Sequence, residues 1–198
     1  METCVRLAKR YRVHLGAHPG VASRFGRGSI EILPPALELI LIQQVNALQT
    51  VAKAQQVRLG HIKLHGSLYH VVETDRVLAG AYVSAVARWW PGVKIFARAG
   101  GLVEKVAKAT RIPVWREAFA DRAYNDDGTL APRTEPGAVL TELKTILERA
   151  SLLATQHEIT SVSGKVLRLD AETLCVHADT PGSAAIARAI AKLLGVRR

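Results

Sequence analysis

Cysteine is nearly absent: Cys4 and Cys175 are the two in 198 residues, too few for a disulfide framework. Cys175 lies in the apolar run Thr173-Leu174-Cys175-Val176, where a thiol is an inert core group unless a neighbour lowers its pKa. Aromatic residues are scarce as well, at 5% of the chain. The basic pairs Lys9-Arg10 and Arg197-Arg198 are short. Nucleic-acid binding calls for a basic stripe interleaved with stacking rings, so this composition points away from nucleic acid. No apolar run approaches the roughly 20 residues that span a bilayer. The longest candidate, residues 33–45, contains Pro34, Pro35 and Glu38 and reads as a buried helix. The opening Met1-Glu2-Thr3-Cys4-Val5-Arg6 lacks the basic-then-apolar order of a signal peptide. The expectation is a cytoplasmic protein with no membrane partner.

The chain is 48% hydrophobic and 22% charged, with a formal net charge of +10. These proportions suit one folded domain over residues 1–198 with its own core. The Lys and Arg residues are dispersed, as on a solvated basic surface; a field that draws in an anionic substrate or nucleotide is the alternative.

Apolar periodicity alternates between strand and helix. Helices are expected over 2–11, 36–56, 75–90, 101–110, 136–155 and 181–194, with Thr74 and Thr180 as N-caps. Strands are expected over 13–16, 59–65, 93–97, 112–118 and 173–177, with a short hairpin of 158–161 and 165–169. The order argues for an α/β fold with a parallel sheet. About five parallel strands are too few to close a (β/α) barrel, which takes roughly eight.

Polar residues recur where these strands end. His18 follows Gly16-Ala17 and precedes Pro19-Gly20 in a glycine-rich loop with Arg24 and Arg27. Gly16 and Gly20 are read as letting the backbone approach a ligand. Lys63 and His65 are two apart, so they share one face of an extended segment, with Ile62 and Leu64 on the other; Tyr69 follows. Glu117, Asp121 and Arg122 close a strand, with Tyr124 and Arg133 nearby. They suit acid–base work and anion binding. His177 and Asp179 sit two apart, as a base with its orienting carboxylate or as two metal ligands. Strand ends are where parallel α/β sheets build sites.

Five stretches carry a resemblance. They are Gly16-Ala17-His18-Pro19; Arg24-Phe25-Gly26-Arg27-Gly28; Lys63-Leu64-His65-Gly66-Ser67-Leu68-Tyr69; Glu117-Ala118-Phe119-Ala120-Asp121-Arg122-Ala123-Tyr124 with Arg133; and Cys175-Val176-His177-Ala178-Asp179-Thr180. In this order the chain resembles the LamB/YcsF family, the A-subunit proteins of 5-oxoprolinase. It departs at Leu64 and Ala178, where the family pattern has Pro and Gly, and its loop after Pro19 is shorter. It also lacks the family's opening Asp-Leu-Asn strand and Cys-Gly-x-His segment. It therefore looks like a member without its first two strands.

The resemblance implies an incomplete (β/α) barrel of the glycoside hydrolase/deacetylase type. It implies ATP-dependent opening of 5-oxo-L-proline to L-glutamate with partner subunits B and C, ATP carrying its usual Mg2+ and no metal being tightly held. Lys63 and Arg122 would hold the substrate carboxylate or phosphate charge. His65 or His177 would activate water with Asp179 orienting, and Glu117 or Asp121 would serve the ring nitrogen. His18, Tyr69, Tyr124 and Arg133 would bind substrate. The alternatives are a metal-dependent amidase or deacetylase, with His18, His65, His177 and Asp179 of the right ligand types, or an inactive family member. An exposed sheet edge would favour self-association.

Overall fold

The computed structural model describes residues 1–21 and 30–196. The expectations for Arg24, Arg27 and the loop of residues 24–28, and for Arg197-Arg198, lie outside the described residues. The chain divides into two compact units, Met1–Trp115 and Arg116–Arg198. Among the described residues no helix is long and apolar enough to cross a membrane.

The first unit holds α1 (Glu2–Tyr11), β1 (Leu15–Ala17), α2 (Pro34–Ala54), β2 (Leu59–Ile62), α3 (Gly66–Thr74), α4 (Arg76–Trp89), β3 (Lys94–Arg98) and α5 (Leu102–Ala109). Helix α2 opens on Pro34-Pro35, tolerated where a first-turn amide has no helical partner. It buries Leu37, Leu41, Val45, Leu48 and Ala52, a stripe of four-, four-, three- and four-residue steps. Asp75, and not Thr74, caps α4: its Oδ1 accepts the Val77 and Leu78 amides at 2.7 and 3.1 Å. The Thr74 hydroxyl turns back to the His70 and Val71 carbonyls at the end of α3. A carboxylate satisfies two amides at once, and its charge suits the positive helix end. The first turn of α5 is held from outside, with Glu73 Oε2 accepting the Leu102 amide at 2.9 Å.

The second unit holds most of β4 (Val114–Phe119), then α6 (Leu143–Gln156), the antiparallel pair β5 (Glu158–Thr160) and β6 (Val166–Arg168), β7 (Thr173–Cys175) and α7 (Ser183–Leu193). The expected helix over 136–155 begins only at Leu143. Gly137 has φ +76°, a left-handed turn. The backbone beyond it bridges Arg122 to Val139 as a short antiparallel contact instead. Helix α7 starts at Ser183 and is not capped by Thr180, whose hydroxyl is committed elsewhere. Ala120, Ile146, Ala150, Ile186 and Ile190 form this unit's apolar core.

The strand order is β1-β2-β3-β4-β7, a sheet of five. The registers of β1 with β2, β2 with β3 and β4 with β7 are parallel. The α/β class and the count of about five parallel strands expected from the sequence are borne out. Beyond β2 the pairing continues without regular strand: Lys63 and His65 donate their amides to the Ala17 and Pro19 carbonyls at 2.9 and 2.8 Å. The period-two division holds, with Ile62 and Leu64 buried at 0% and 1% exposure.

Gly16 and Gly20 also make room for neighbouring rings. A methyl on Gly16 would overlap the His61 imidazole, and one on Gly20 would sit 3.1 Å from His65 Cβ. His61 is itself packed edge-on to Phe96, with ring centroids 4.3 Å apart, and tilted against Trp115 at 5.9 Å. The ring has little room to swing. Gly16→Ala is expected to destabilise the chain by about 1–3 kcal/mol through overpacking, read as a lower urea midpoint at unchanged slope. An unchanged midpoint would show that His61 moves aside freely.

Candidate functional site

In the second unit the Asp121 carboxylate has no exposed surface. A charge so placed survives only if donors meet it. Three do. Oδ2 accepts the His177 amide at 2.9 Å and the Thr180 hydroxyl at 2.6 Å, and Oδ1 accepts His177 Nδ1 at 2.8 Å. Burial pushes the carboxyl up, but the hydrogen bonds from His177 and Thr180 outweigh it and hold its pKa at about 2. An ionised carboxylate only accepts, so His177 Nδ1 carries the hydrogen and its Nε2 is the basic nitrogen. Phe119 lies flat against the imidazole, at 5.6 Å between centroids and 18° between planes. The ring is held in place and in tautomer, the state a general base needs.

The sequence reading paired His177 with Asp179. The structure corrects this: Asp121 orients His177, while Asp179 Oδ2 lies 3.5 Å from Arg133 Nη1. Spacing along a strand could not show it, because Asp121 and His177 are 56 residues apart. Arg122, read as an anion holder, is 2% exposed. Its Nε and Nη2 donate to the Ala138 and Ala131 carbonyls at 3.2 and 2.5 Å, tying down the segment that follows β4. Tyr124 is fully buried, and its hydroxyl accepts the Phe119 amide at 2.9 Å. Glu117 is 4% exposed, on β4 beside Thr173 of β7.

In the first unit His18 and His65 meet. His65 Nδ1 lies 3.0 Å from His18 Nε2, and His18 Nδ1 lies 2.7 Å from the Lys63 carbonyl oxygen. Lys63 Nζ stands 5.9 Å from the centroid of the Tyr69 ring, a cation–π contact. The described residues hold no group of three or more His, Cys, Asp and Glu side chains able to hold a metal ion.

The sequence reading missed a ring layer in this unit. His14, His61 and Phe96 each pack against Trp115, His61 also packs against Phe96, and Lys94 Nζ lies 4.2 Å over Trp115. Gly16 and Gly60 on either side of His61 were the signal available for a close approach. Burial lowers the His61 pKa to about 4, helped by the positive charges of His14 and Lys63, and its buried Nδ1 has no hydrogen-bond partner.

Three comparisons bear on these residues. The LamB/YcsF family pattern matches residues 1–197. The chain belongs to the LamB/YcsF family. The 5-oxoprolinase A-subunit of Heliobacterium modesticaldum is 42% identical over 192 residues, covering 96% of this chain and 76% of that protein. That of Pyrococcus furiosus is 35% identical over 196 residues, covering 98% and 77%. Among solved structures, the lactam utilization protein of Thermus thermophilus superimposes with a TM-score of 0.89 at 33% identity, covering 98% of this chain and 79% of that one. The LamB/YcsF resemblance and the parallel α/β fold it implied are thus both found.

The His61 and Asp121 shifts each contribute stability that is lost in acid. His61 titrates near 4 when folded against an ordinary 6.5, so the unfolded chain takes the proton first. The His61 contribution to stability is therefore complete above 6.5 and falls as the pH drops toward 4. Asp121 adds a second loss between its ordinary 3.8 and about 2. Replacing His61 by Gln is expected to flatten the first window, worth on the order of 1 kcal/mol after solvent screening, and to leave the second. Urea unfolding at stepped pH checks this; an unchanged slope between 6.5 and 4 would refute it.

Proposed function

We propose that this LamB/YcsF chain works as the A-subunit of a 5-oxoprolinase, opening 5-oxo-L-proline to L-glutamate at the expense of ATP with two partner subunits, B and C. The observation that carries the reading is the buried Asp121–His177 pair, a base of set tautomer in a chain whose relatives bear the name of that 5-oxoprolinase component.

The chemistry asks for such a base. A lactam carbonyl is a weak electrophile. Transfer of the ATP γ-phosphoryl group to the lactam oxygen, with Mg2+ as the nucleotide's counter-ion, leaves ADP and an activated C5. Water adds to C5 and gives its proton to His177 Nε2. The resulting imidazolium donates Nδ1–H to the Asp121 carboxylate, an arrangement that stabilises the positive ring. The C5–N bond breaks as the ring nitrogen gains a proton, a role suited to the buried carboxyl of Glu117. A second water then releases phosphate from the acyl phosphate. In the same unit Arg133 supplies a cationic group suited to the substrate carboxylate or to phosphate.

Asp121→Asn presents an amide to His177 and upsets the tautomer. His177→Ala removes the base. Each is expected to lower turnover by about 10²–10⁴-fold in the complex reconstituted with subunits B and C. Undiminished turnover in either variant would remove the pair from catalysis. Saturating 5-oxoproline is expected to raise the thermal midpoint of the complex.

A further inference from the structure

One buried hydroxyl of the second unit belongs to a residue that the proposed roles leave unused. Thr180 is 3% exposed, and its Oγ1 lies 2.6 Å from Asp121 Oδ2. An ionised carboxylate has no hydrogen to give, so the threonine donates. The hydroxyl is not spent on a helix end, since α7 starts at Ser183 behind Gly182 without a side-chain cap. The two oxygens of Asp121 carry different loads. Oδ2 takes both the His177 amide, at 2.9 Å, and the Thr180 hydroxyl, whereas Oδ1 takes His177 Nδ1 alone, at 2.8 Å. A carboxylate gripped by a single donor turns easily about its Cβ–Cγ bond, because that torsion is broad. Two donors converging on Oδ2 remove this freedom and leave Oδ1 aimed at the ring. Only one of the two is a side chain, that of Thr180.

The backbone on either side of this hydrogen bond is held by other contacts. Thr180 N–H donates to the His177 carbonyl at 3.1 Å, and Ser183 N–H donates to the Thr180 carbonyl at 3.0 Å. The Ser183 hydroxyl donates to the Ala178 carbonyl at 3.1 Å, which closes the loop on itself. Ile186, one turn into α7, enters the same apolar core as Ala120, the residue before Asp121. Leu140 N–H donates to the Asp121 carbonyl at 2.9 Å. Removing the Thr180 hydroxyl alone therefore disturbs the rotation of the carboxylate more than the course of the chain.

We propose that Thr180 is a positioning residue whose hydroxyl fixes the rotation of the Asp121 carboxylate and, through it, the direction in which His177 Nε2 faces its reactant. A hydrogen bond to a charged oxygen is about twice as strong as a neutral one, enough to set a torsion that packing leaves soft. The consequence for rate is large, because a displacement of about 1 Å at a reacting atom costs up to about a hundredfold. Thr180 exchanges no proton with the substrate. It acts through Asp121, and Asp121 acts through the imidazole. The effect on turnover rests on the lactam-opening reading; the aim of the ring does not.

The aim can be read without turnover. In the full chain carrying isotopically labelled histidine, the His177 Nδ1–H donated to Asp121 is expected as a downfield proton resonance, assigned by its loss in His177→Gln. Thr180→Val keeps the branched shape and removes the hydroxyl. It is expected to shift or broaden that resonance, and Thr180→Ser to restore it. A resonance indifferent to Thr180→Val would overturn the proposal. If that variant does not fold, the parent chain decides. Its Thr180 hydroxyl proton is expected to exchange slowly with water, and exchange as fast as that of an exposed threonine would overturn the proposal equally. In the complex reconstituted with subunits B and C, Thr180→Val is expected to lower kcat by about tenfold to a hundredfold at nearly unchanged KM, and Thr180→Ser to recover most of the loss. A raised KM at unchanged kcat, or equal losses in the two variants, would end the positioning role. A parent complex that leaves 5-oxoproline untouched, while the His177 resonance answers to Thr180 as stated, would uphold the aim of the ring and sink the lactam reading.

Discussion

A carboxylate with no access to water sets the terms for the second unit. Asp121 loses its hydration on folding and must find an equal number of donors within the protein. It finds them on one short stretch, the His177 amide and imidazole and the Thr180 hydroxyl. Satisfying the charge therefore draws the segment after β7 against the end of β4. It also decides which nitrogen of His177 is basic. Stability and chemical readiness come from the same three hydrogen bonds, so a change that serves one affects the other.

The first unit gathers histidines of its own. His18 Nδ1 lies against the Lys63 carbonyl oxygen, and His65 Nδ1 lies against His18 Nε2. Space is the constraint here. Gly16 and Gly20 are small because His61 and His65 occupy the volume a side chain would need. In the second unit a histidine is oriented through Nδ1, leaving Nε2 as its basic nitrogen. The orienting partner, Asp121, supplies full charge to an imidazolium.

Much of this was legible in the order of residues. Helix α1 falls where its pattern places it, and α2 follows its apolar stripe and opening prolines. The division of Ile62 and Leu64 from Lys63 and His65 is a consequence of strand geometry, which any extended segment obeys. Local propensity misled where a distant partner competed for the same atoms. Thr180 reads as a helix cap, yet its hydroxyl serves a buried carboxylate. Asp179 reads as the partner of His177, yet it faces Arg133. Residues 136–142 read as the start of a helix, yet their backbone satisfies the strand-end segment of Asp121 and Arg122.

Residue order was enough for the alternation of strands and helices, for membership of the LamB/YcsF family and for the residue types available for chemistry. Periodicity and ordered motifs are properties of neighbours along the chain. Folding in three dimensions had to settle which acid orients which imidazole, which arginine donates to main-chain carbonyls, and which nitrogen of His177 is basic. Those outcomes are set by hydrogen-bond partners 9 to 56 residues away along the chain, and no spacing along the chain encodes a distance of about 3 Å across it.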